Sequence, residues 1–183
     1  MKHLIILYFL LFFHISFSQI KTAKKNLKKG ESIFYYDKDF KYTSKKNAEY
    51  YLIINLIKKN KPIGEIKNYY RSGSIRNITE GASYFDKKDD LNSIYYGKST
   101  WYYETGEIEI EENYVDGKRE GKATLYYKSG EINVVGNYVD DKLEGKETEY
   151  YESGEIEAVG NYVDGEIISV KCWDEDGNVI ECE

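Results

Sequence analysis

Histidine is nearly missing from this 183-residue chain: the two that exist, His3 and His14, both sit in the first fourteen positions. Beyond them no Ser-His-Asp or Cys-His arrangement can be assembled, and no imidazole can hold a metal. Cysteine is as scarce, with only Cys172 and Cys182, and no base accompanies either to make it a nucleophile. Long apolar runs are absent apart from Leu4 to Phe17, which is interrupted by His14 and Ser16. That run is shorter than the roughly 20 residues a spanning helix needs. It follows the basic Met1-Lys2-His3 and precedes Ser16-Phe17-Ser18, whose small residues suit a signal peptidase. The expectation is a signal peptide over residues 1–18, cleaved after Ser18, and a secreted or periplasmic product with no integral membrane segment. Both histidines leave with the signal. An oxidising compartment then favours a disulfide between Cys172 and Cys182, stapling a last hairpin around Asp176-Gly177.

What the chain has in abundance is tyrosine, 20 residues of it, and a repeat. Tyr102-Tyr103-Glu104-Thr105-Gly106-Glu107-Ile108 recurs from Tyr126 to Ile132 and again from Tyr150 to Ile156, a period of 24. Each copy is followed at one offset by Asn-Tyr-Val-Asp: Asn113 to Asp116, Asn137 to Asp140, Asn161 to Asp164. So short a fixed period means one supersecondary unit stacked on copies of itself. Within the unit the pattern alternates with period two and is rich in Tyr, Val, Ile and Thr, which is strand chemistry. Lys128-Ser129-Gly130 fits a tight hairpin loop with glycine in the left-handed position. Asp116-Gly117 and Asp164-Gly165 mark the opposite turn, and Asp141 stands where the second copy would have glycine.

The repeat extends upstream in degenerate form. Tyr69-Tyr70-Arg71-Ser72-Gly73-Ser74-Ile75 is a clear copy, and Tyr35-Tyr36-Asp37-Lys38-Asp39-Phe40 a weaker one with Asp39 in the glycine slot. Gly64, Gly97, Gly121 and Gly145 each lie five residues before a Tyr-Tyr pair and confirm the register. The first two units are longer by nine or ten residues. Tyr50 to Ile57 reads as a strand and not a helix because of its β-branched density, and Trp173 to Ile180 reads as a truncated last unit. The expected organisation is a basic linker at 19–33 and a repeat domain at 34–183. Within that domain lie long units at 35–97, regular units at 98–169 and a cap at 170–183.

Even positions of the longer strand (Ile108, Ile110, Tyr114; Ile132, Val134, Gly136, Tyr138; Ile156, Ala158, Gly160, Tyr162) predict one apolar face. A three-residue loop would add Thr100, Tyr102, Thr124, Tyr126, Thr148 and Tyr150 to it, with Gly136 and Gly160 leaving room beneath neighbouring tyrosines. Tyr102, Tyr114, Tyr126, Tyr138, Tyr150 and Tyr162 are therefore the candidate interaction face. The competing account makes them a stacking ladder, since tyrosine buries a ring and keeps its hydroxyl wet.

The pattern Tyr-Tyr-x-x-Gly-Glu-Ile followed by Asn-Tyr-x-x-Gly resembles the variant MORN repeat of bacterial proteins, of the YwqK-like antitoxin family. The resemblance covers residues 95–165 and reaches back to 35. It implies an all-β fold, a single-layer antiparallel meander of consecutive β-hairpins. It implies no catalytic residue and no cofactor.

The net charge of −6 conceals a gradient. Residues 19–63 carry 12 lysines against 4 acids, whereas residues 101–183 carry 7 basic and 23 acidic side chains. In a stacked array this makes a rod basic at one end and acidic at the other, suited to steering a basic partner onto the acidic half. Nucleic acid is an unfavourable partner, because most of the chain would repel phosphate. Asp174, Asp176, Gly177 and Glu183 match part of a calcium loop, but Cys172 holds the position where a carboxylate is needed, so an acidic turn explains them. Glutamates on an open sheet lack a pocket to raise one pKa, which disfavours glycoside hydrolysis. Asn77-Ile78-Thr79 matches a glycosylation acceptor by pattern only. The resulting expectation is an exported, non-enzymatic module mediating protein–protein interaction in the bacterial envelope. The alternatives are an antitoxin or immunity-type neutraliser and a surface protein that binds a polysaccharide or other glycan.

Overall fold

The computed structural model describes residues 27–57 and 61–182. The expected signal peptide, its cleavage site and the linker up to residue 26 lie outside the described residues. The rest is one antiparallel sheet. Its strands are β1 (Glu31–Tyr36), β2 (Tyr50–Leu56), β3 (Pro62–Tyr70), β4 (Ile75–Tyr84), β5 (Ile94–Tyr102), β6 (Ile108–Val115), β7 (Lys118–Arg119), β8 (Gly121–Tyr126), β9 (Ile132–Val139), β10 (Lys142–Leu143), β11 (Gly145–Tyr150), β12 (Ile156–Val163), β13 (Glu166–Trp173) and β14 (Val179–Ile180). Neighbours in the chain are neighbours in the sheet, so the chain is a meander of hairpins, with two-residue β7 and β10 pairing onto β6 and β9. The expected strand at Tyr50 is β2, and the last unit is the β13–β14 hairpin. Cys172 and Cys182 are disulfide-bonded across it, with Cα atoms 5.4 Å apart.

The same turn closes each Tyr-Tyr hairpin. Tyr127 N donates to Glu131 O at 2.9 Å, Gly130 N donates to Tyr127 O at 2.9 Å, and Gly130 has φ +93°. Equivalent pairs occur at Tyr70/Ser74, Tyr103/Glu107, Tyr151/Glu155 and Asp174/Asn178. In the first unit the pair is Asp37/Lys41, which puts Phe40, not Asp39, in the glycine slot, at φ +61°. Opposite these turns, Asp116-Gly117, Asp140-Asp141 and Asp164-Gly165 have two consecutive positive φ values, the backbone of a type I′ turn. Asp141 holds its left-handed φ of +71° while its Oδ1 accepts a hydrogen bond from Arg119 N at 2.8 Å.

The expected single apolar face is corrected by a β-bulge in each of the three regular units, and the Tyr69-Tyr70 hairpin carries the same bulge. Tyr126 pairs with Ile132 but Leu125 pairs with Val134, leaving Asn133 extra. Glu109, Glu157 and Arg76 are the equivalent extra residues. A bulge interrupts the strict alternation of side chains, so residues on either side of it face opposite ways. Tyr102, Tyr126 and Tyr150, paired with Ile108, Ile132 and Ile156, occupy what we call the back face. Tyr114, Tyr138 and Tyr162 occupy the front. Two contacts confirm the split: Tyr126 Oη donates to Glu111 Oε2 at 3.0 Å, and Tyr114 Oη to Glu112 Oε1 at 2.9 Å. Adjacent strand residues point to opposite faces. Thr100, Thr124 and Thr148 likewise lie on the back face, paired with Glu111, Val135 and Val159. The glycine expectation holds at Gly160, where a Cβ would lie 2.7 Å from the Tyr162 ring, but Gly136 makes room for Leu143 instead of a tyrosine.

The extra residues of the two long units have a definite use. Segments 37–49 and 85–93 fold over the front face at the N-terminal end and give it the only hydrophobic core cluster among the described residues. Tyr36, Tyr50, Leu52, Ile54, Ile66, Ala82 and Phe85 are buried there, with Phe34, Phe40, Leu56 and Tyr95 packed against them. Phe34 meets Phe85 edge-on at 5.2 Å. On the back face Tyr51 stacks on Tyr69 at 5.0 Å.

Beyond the core, units are joined by a ladder of hydroxyls. The second tyrosine of each pair reaches into the next unit: Tyr70 Oη to Tyr102 O at 2.8 Å, Tyr103 Oη to Tyr126 O at 2.7 Å, Tyr127 Oη to Tyr150 O at 2.6 Å and Tyr151 Oη to Trp173 O at 2.7 Å. Lys118–Asp140 and Lys142–Asp164 ion pairs repeat along the opposite margin, but they are exposed and contribute little. Tyr127→Phe deletes one rung while keeping the ring. It is expected to cost about 1 kcal/mol and lower the thermal midpoint by roughly 2–4 °C in a circular-dichroism melt. Tyr42→Phe, with no such bond, leaves the midpoint unchanged.

Candidate functional site

Two regions offer chemistry. The first is the back face of the regular units. Ile108, Ile132 and Ile156 form one row and Val115, Val139 and Val163 another, each residue 38–51% exposed. Nothing among the described residues packs over them. Between the rows lie Tyr102, Tyr126 and Tyr150, Asn113, Asn137 and Asn161, and Lys98, Lys122 and Lys146. Lys98 pairs with Glu111 and, through that bond first, holds its carboxyl below the usual range. The tyrosines on the front are half-buried, as those on the back are. Arg119 covers the Tyr138 ring at 4.1 Å, and Tyr162 is pushed up to about 12 by burial and then by its hydrogen bond to Glu147. The six tyrosines marked in the sequence are therefore two rows of three, separated by the thickness of the sheet.

The second region escaped the sequence reading. Where the N-terminal core ends, the front face encloses a cavity of about 250 Å³. Arg76 projects into it from the bulge of its hairpin, the position held by Glu109, Asn133 and Glu157 in the regular units. Its guanidinium lies over Tyr50 at 4.7 Å, Trp101 at 5.0 Å and Phe40 at 5.5 Å. Phe40 carries the left-handed backbone described above, a strained conformation for an aromatic residue of the kind that collects at functional sites. The floor is a polar strip: Asn68 Nδ2 donates to Asn77 Oδ1, Asn77 Nδ2 to Thr79 Oγ1 at 3.0 Å and to Ser99 Oγ at 3.2 Å. The burial and bonding of Asn77 make it a structural residue in place of a glycan acceptor. From segment 85–93 comes Asp90, only 8% exposed, whose Oδ1 accepts hydrogen bonds from Tyr95 Oη and Ser93 Oγ. Burial raises the Asp90 carboxyl above its ordinary value, while Tyr95, Ser93 and the Arg76 charge pull the other way. The one trace of this cavity in the sequence is that departure from acid or amide to arginine at a repeated position, beside the extra residues of the long units.

The fold and these two regions define an open-sheet β-hairpin repeat protein. Residues 95–116, 119–140 and 143–164 each match the MORN repeat variant, so the regular half of the sheet is three consecutive repeats of that kind. The repeat is a non-catalytic module, and such modules generally serve protein or membrane interaction. No curated protein matches the chain.

Asp90 also provides a test of the cavity's polarity. Its folded pKa exceeds the ordinary 3.8, so the folded state holds the proton more tightly than the unfolded chain. The associated stability is fully present below the ordinary value and is lost as pH rises through the folded one. Urea unfolding against pH should show the wild type losing stability relative to Asp90→Asn as pH rises from 3.8 upward.

Proposed function

We propose that this chain is an exported, non-enzymatic module that binds another protein of the bacterial envelope through the back face of its MORN-variant repeats. The supporting observation is the pair of exposed aliphatic rows at 24-residue spacing, uncovered along three units. A flat face with aliphatic margins and a centre of Tyr, Asn, Thr and Lys has the composition of an interface and lacks the enclosure that catalysis needs. The Cys172–Cys182 bond supports export, since disulfides persist in oxidising compartments. The charge gradient favours a partner with basic character near the acidic half. An immunity-type neutraliser of an exported toxin is the special case in which that partner is toxic. The glycan reading is weaker, because the tyrosines it relied on do not form one surface.

Two outcomes are expected. Intact mass measurement of the protein recovered from an envelope or culture fraction should show a chain beginning at Gln19, and a chain retaining residues 1–18 removes the export reading. Used as bait, the mature chain should retain a stoichiometric protein, and Val115→Lys/Val139→Lys/Val163→Lys, with unchanged circular dichroism, should lose it. Equal retention by the variant, or retention on glycan resin alone, removes the back face as the interface.

A further inference from the structure

We propose that the front-face cavity is a binding site for a small α-carboxylate with an N–H donor beside it, the chemistry shared by a free amino acid and the C-terminal residue of a peptide. The site lies on the opposite face from the aliphatic rows, so it stands independently of the proposed interface.

Two polar groups in the cavity have hydrogen-bonding capacity left over, and they ask for opposite things. The Arg76 guanidinium carbon lies 4.7–5.5 Å from the centroids of three rings, which confine it, yet the group makes no hydrogen bond or ion pair among the described residues. Cation–π contacts are electrostatic and satisfy none of its N–H donors as a hydrogen-bond acceptor would. Those donors match a carboxylate through two parallel hydrogen bonds. Asn68 is 4% exposed, and its Oδ1 is buried with no partner even though its Nδ2 is engaged by Asn77. A buried amide oxygen needs a donor. A carboxylate with an adjacent N–H answers both groups at once. Phosphate or sulfate answers only Arg76 and would set its remaining oxygens against Asn68 Oδ1 and Asp90, which lines the same cavity.

Size points the same way. A volume of about 250 Å³ is below the range of drug-sized ligand pockets and holds about one residue, not an oligosaccharide. Leu91, Trp101 and Phe40 supply apolar wall for a side chain. A purely structural role for Arg76, as a cation clamping aromatic rings, accounts for its ring contacts but leaves the Asn68 oxygen unexplained.

Trp101 reports occupancy directly, because it lines the cavity and touches Arg76. Trp173→Phe leaves it as the only indole, since the chain has two tryptophans. In that background the full mature chain is titrated with N-acetyl-L-leucine, L-leucine, N-acetyl-L-leucinamide and inorganic phosphate. A saturable change in Trp101 emission with either carboxylate is expected. Response to the N-acetyl acid alone assigns the site to a peptide C-terminus, to leucine alone a free amino acid, and to both the shared chemistry. The leucinamide, phosphate and the Arg76→Gln variant should each bind at least about tenfold more weakly. Leu91 is 67% exposed, so Leu91→Glu should preserve the fold while placing a repelling carboxylate at the mouth, and it should weaken binding as well. The proposal is overturned if neither carboxylate gives a saturable response, if the amide or phosphate binds as tightly, or if Leu91→Glu binds unchanged.

Discussion

A sheet of one layer has two faces and nothing of its own to press them against, and the rest of this molecule follows from that constraint. Without a second layer, hydrophobic burial, the largest favourable contribution in most folds, is limited to what neighbouring strands can cover on each other. The regular units answer with side chains that gain from partial burial. Tyrosine rings cover neighbouring backbone while their hydroxyls bond to carbonyls one unit away, so the same residue supplies apolar contact and a directional tie. Glycine at Gly160 lets a ring lie close over the chain, and the doubled left-handed turns keep successive hairpins in one twist. Stability in such an array is close to a sum over units and their junctions.

At the N-terminal end the constraint is lifted by length. The added residues bring Phe40, Phe85 and their neighbours over the front face, and a small two-layer region with a conventional core results. Its margin is where Arg76, Asp90 and the Asn68–Asn77–Thr79–Ser99 strip meet. A covered surface stops there and an open one begins, and the front-face residues nearest the step are half enclosed. Cavities with fixed polar groups arise naturally at such a step, whereas the uniform part of the sheet offers only flat surface.

Much of this was legible beforehand. The 24-residue period, the alternation and the glycine register predict the strands, the meander and the turn positions, and the spacing about Asp176-Gly177 predicts the disulfide. What strict alternation cannot reveal is a bulge, because one extra residue such as Asn133 changes no composition yet reverses which side chains share a face. That is why Tyr102 and Tyr114 read as one row and lie on two. The slip from Asp39 to Phe40 has a related cause: aspartate tolerates a left-handed backbone better than phenylalanine, but packing on Tyr50 and Arg76 holds the phenylalanine there instead. The cavity was hidden because its walls come from positions as far apart as 40, 68, 90 and 101. Only the arginine at a repeated acidic or amide position left a mark in one dimension.

The placement of the core cluster at one end of the sheet has a mechanical meaning. The molecule is a plank clamped at its basic end and free at its acidic end, with the Cys172–Cys182 loop as a stop against fraying of the last strand pair. Opening is therefore directional: hairpins near the free end detach first and those under segments 37–49 and 85–93 last, and exchange of backbone amides should slow steadily from β13 toward β2. A partner lying along the back face would grip several rungs at once and resist being peeled, much as a splint does, so that recognition and stiffening become one event.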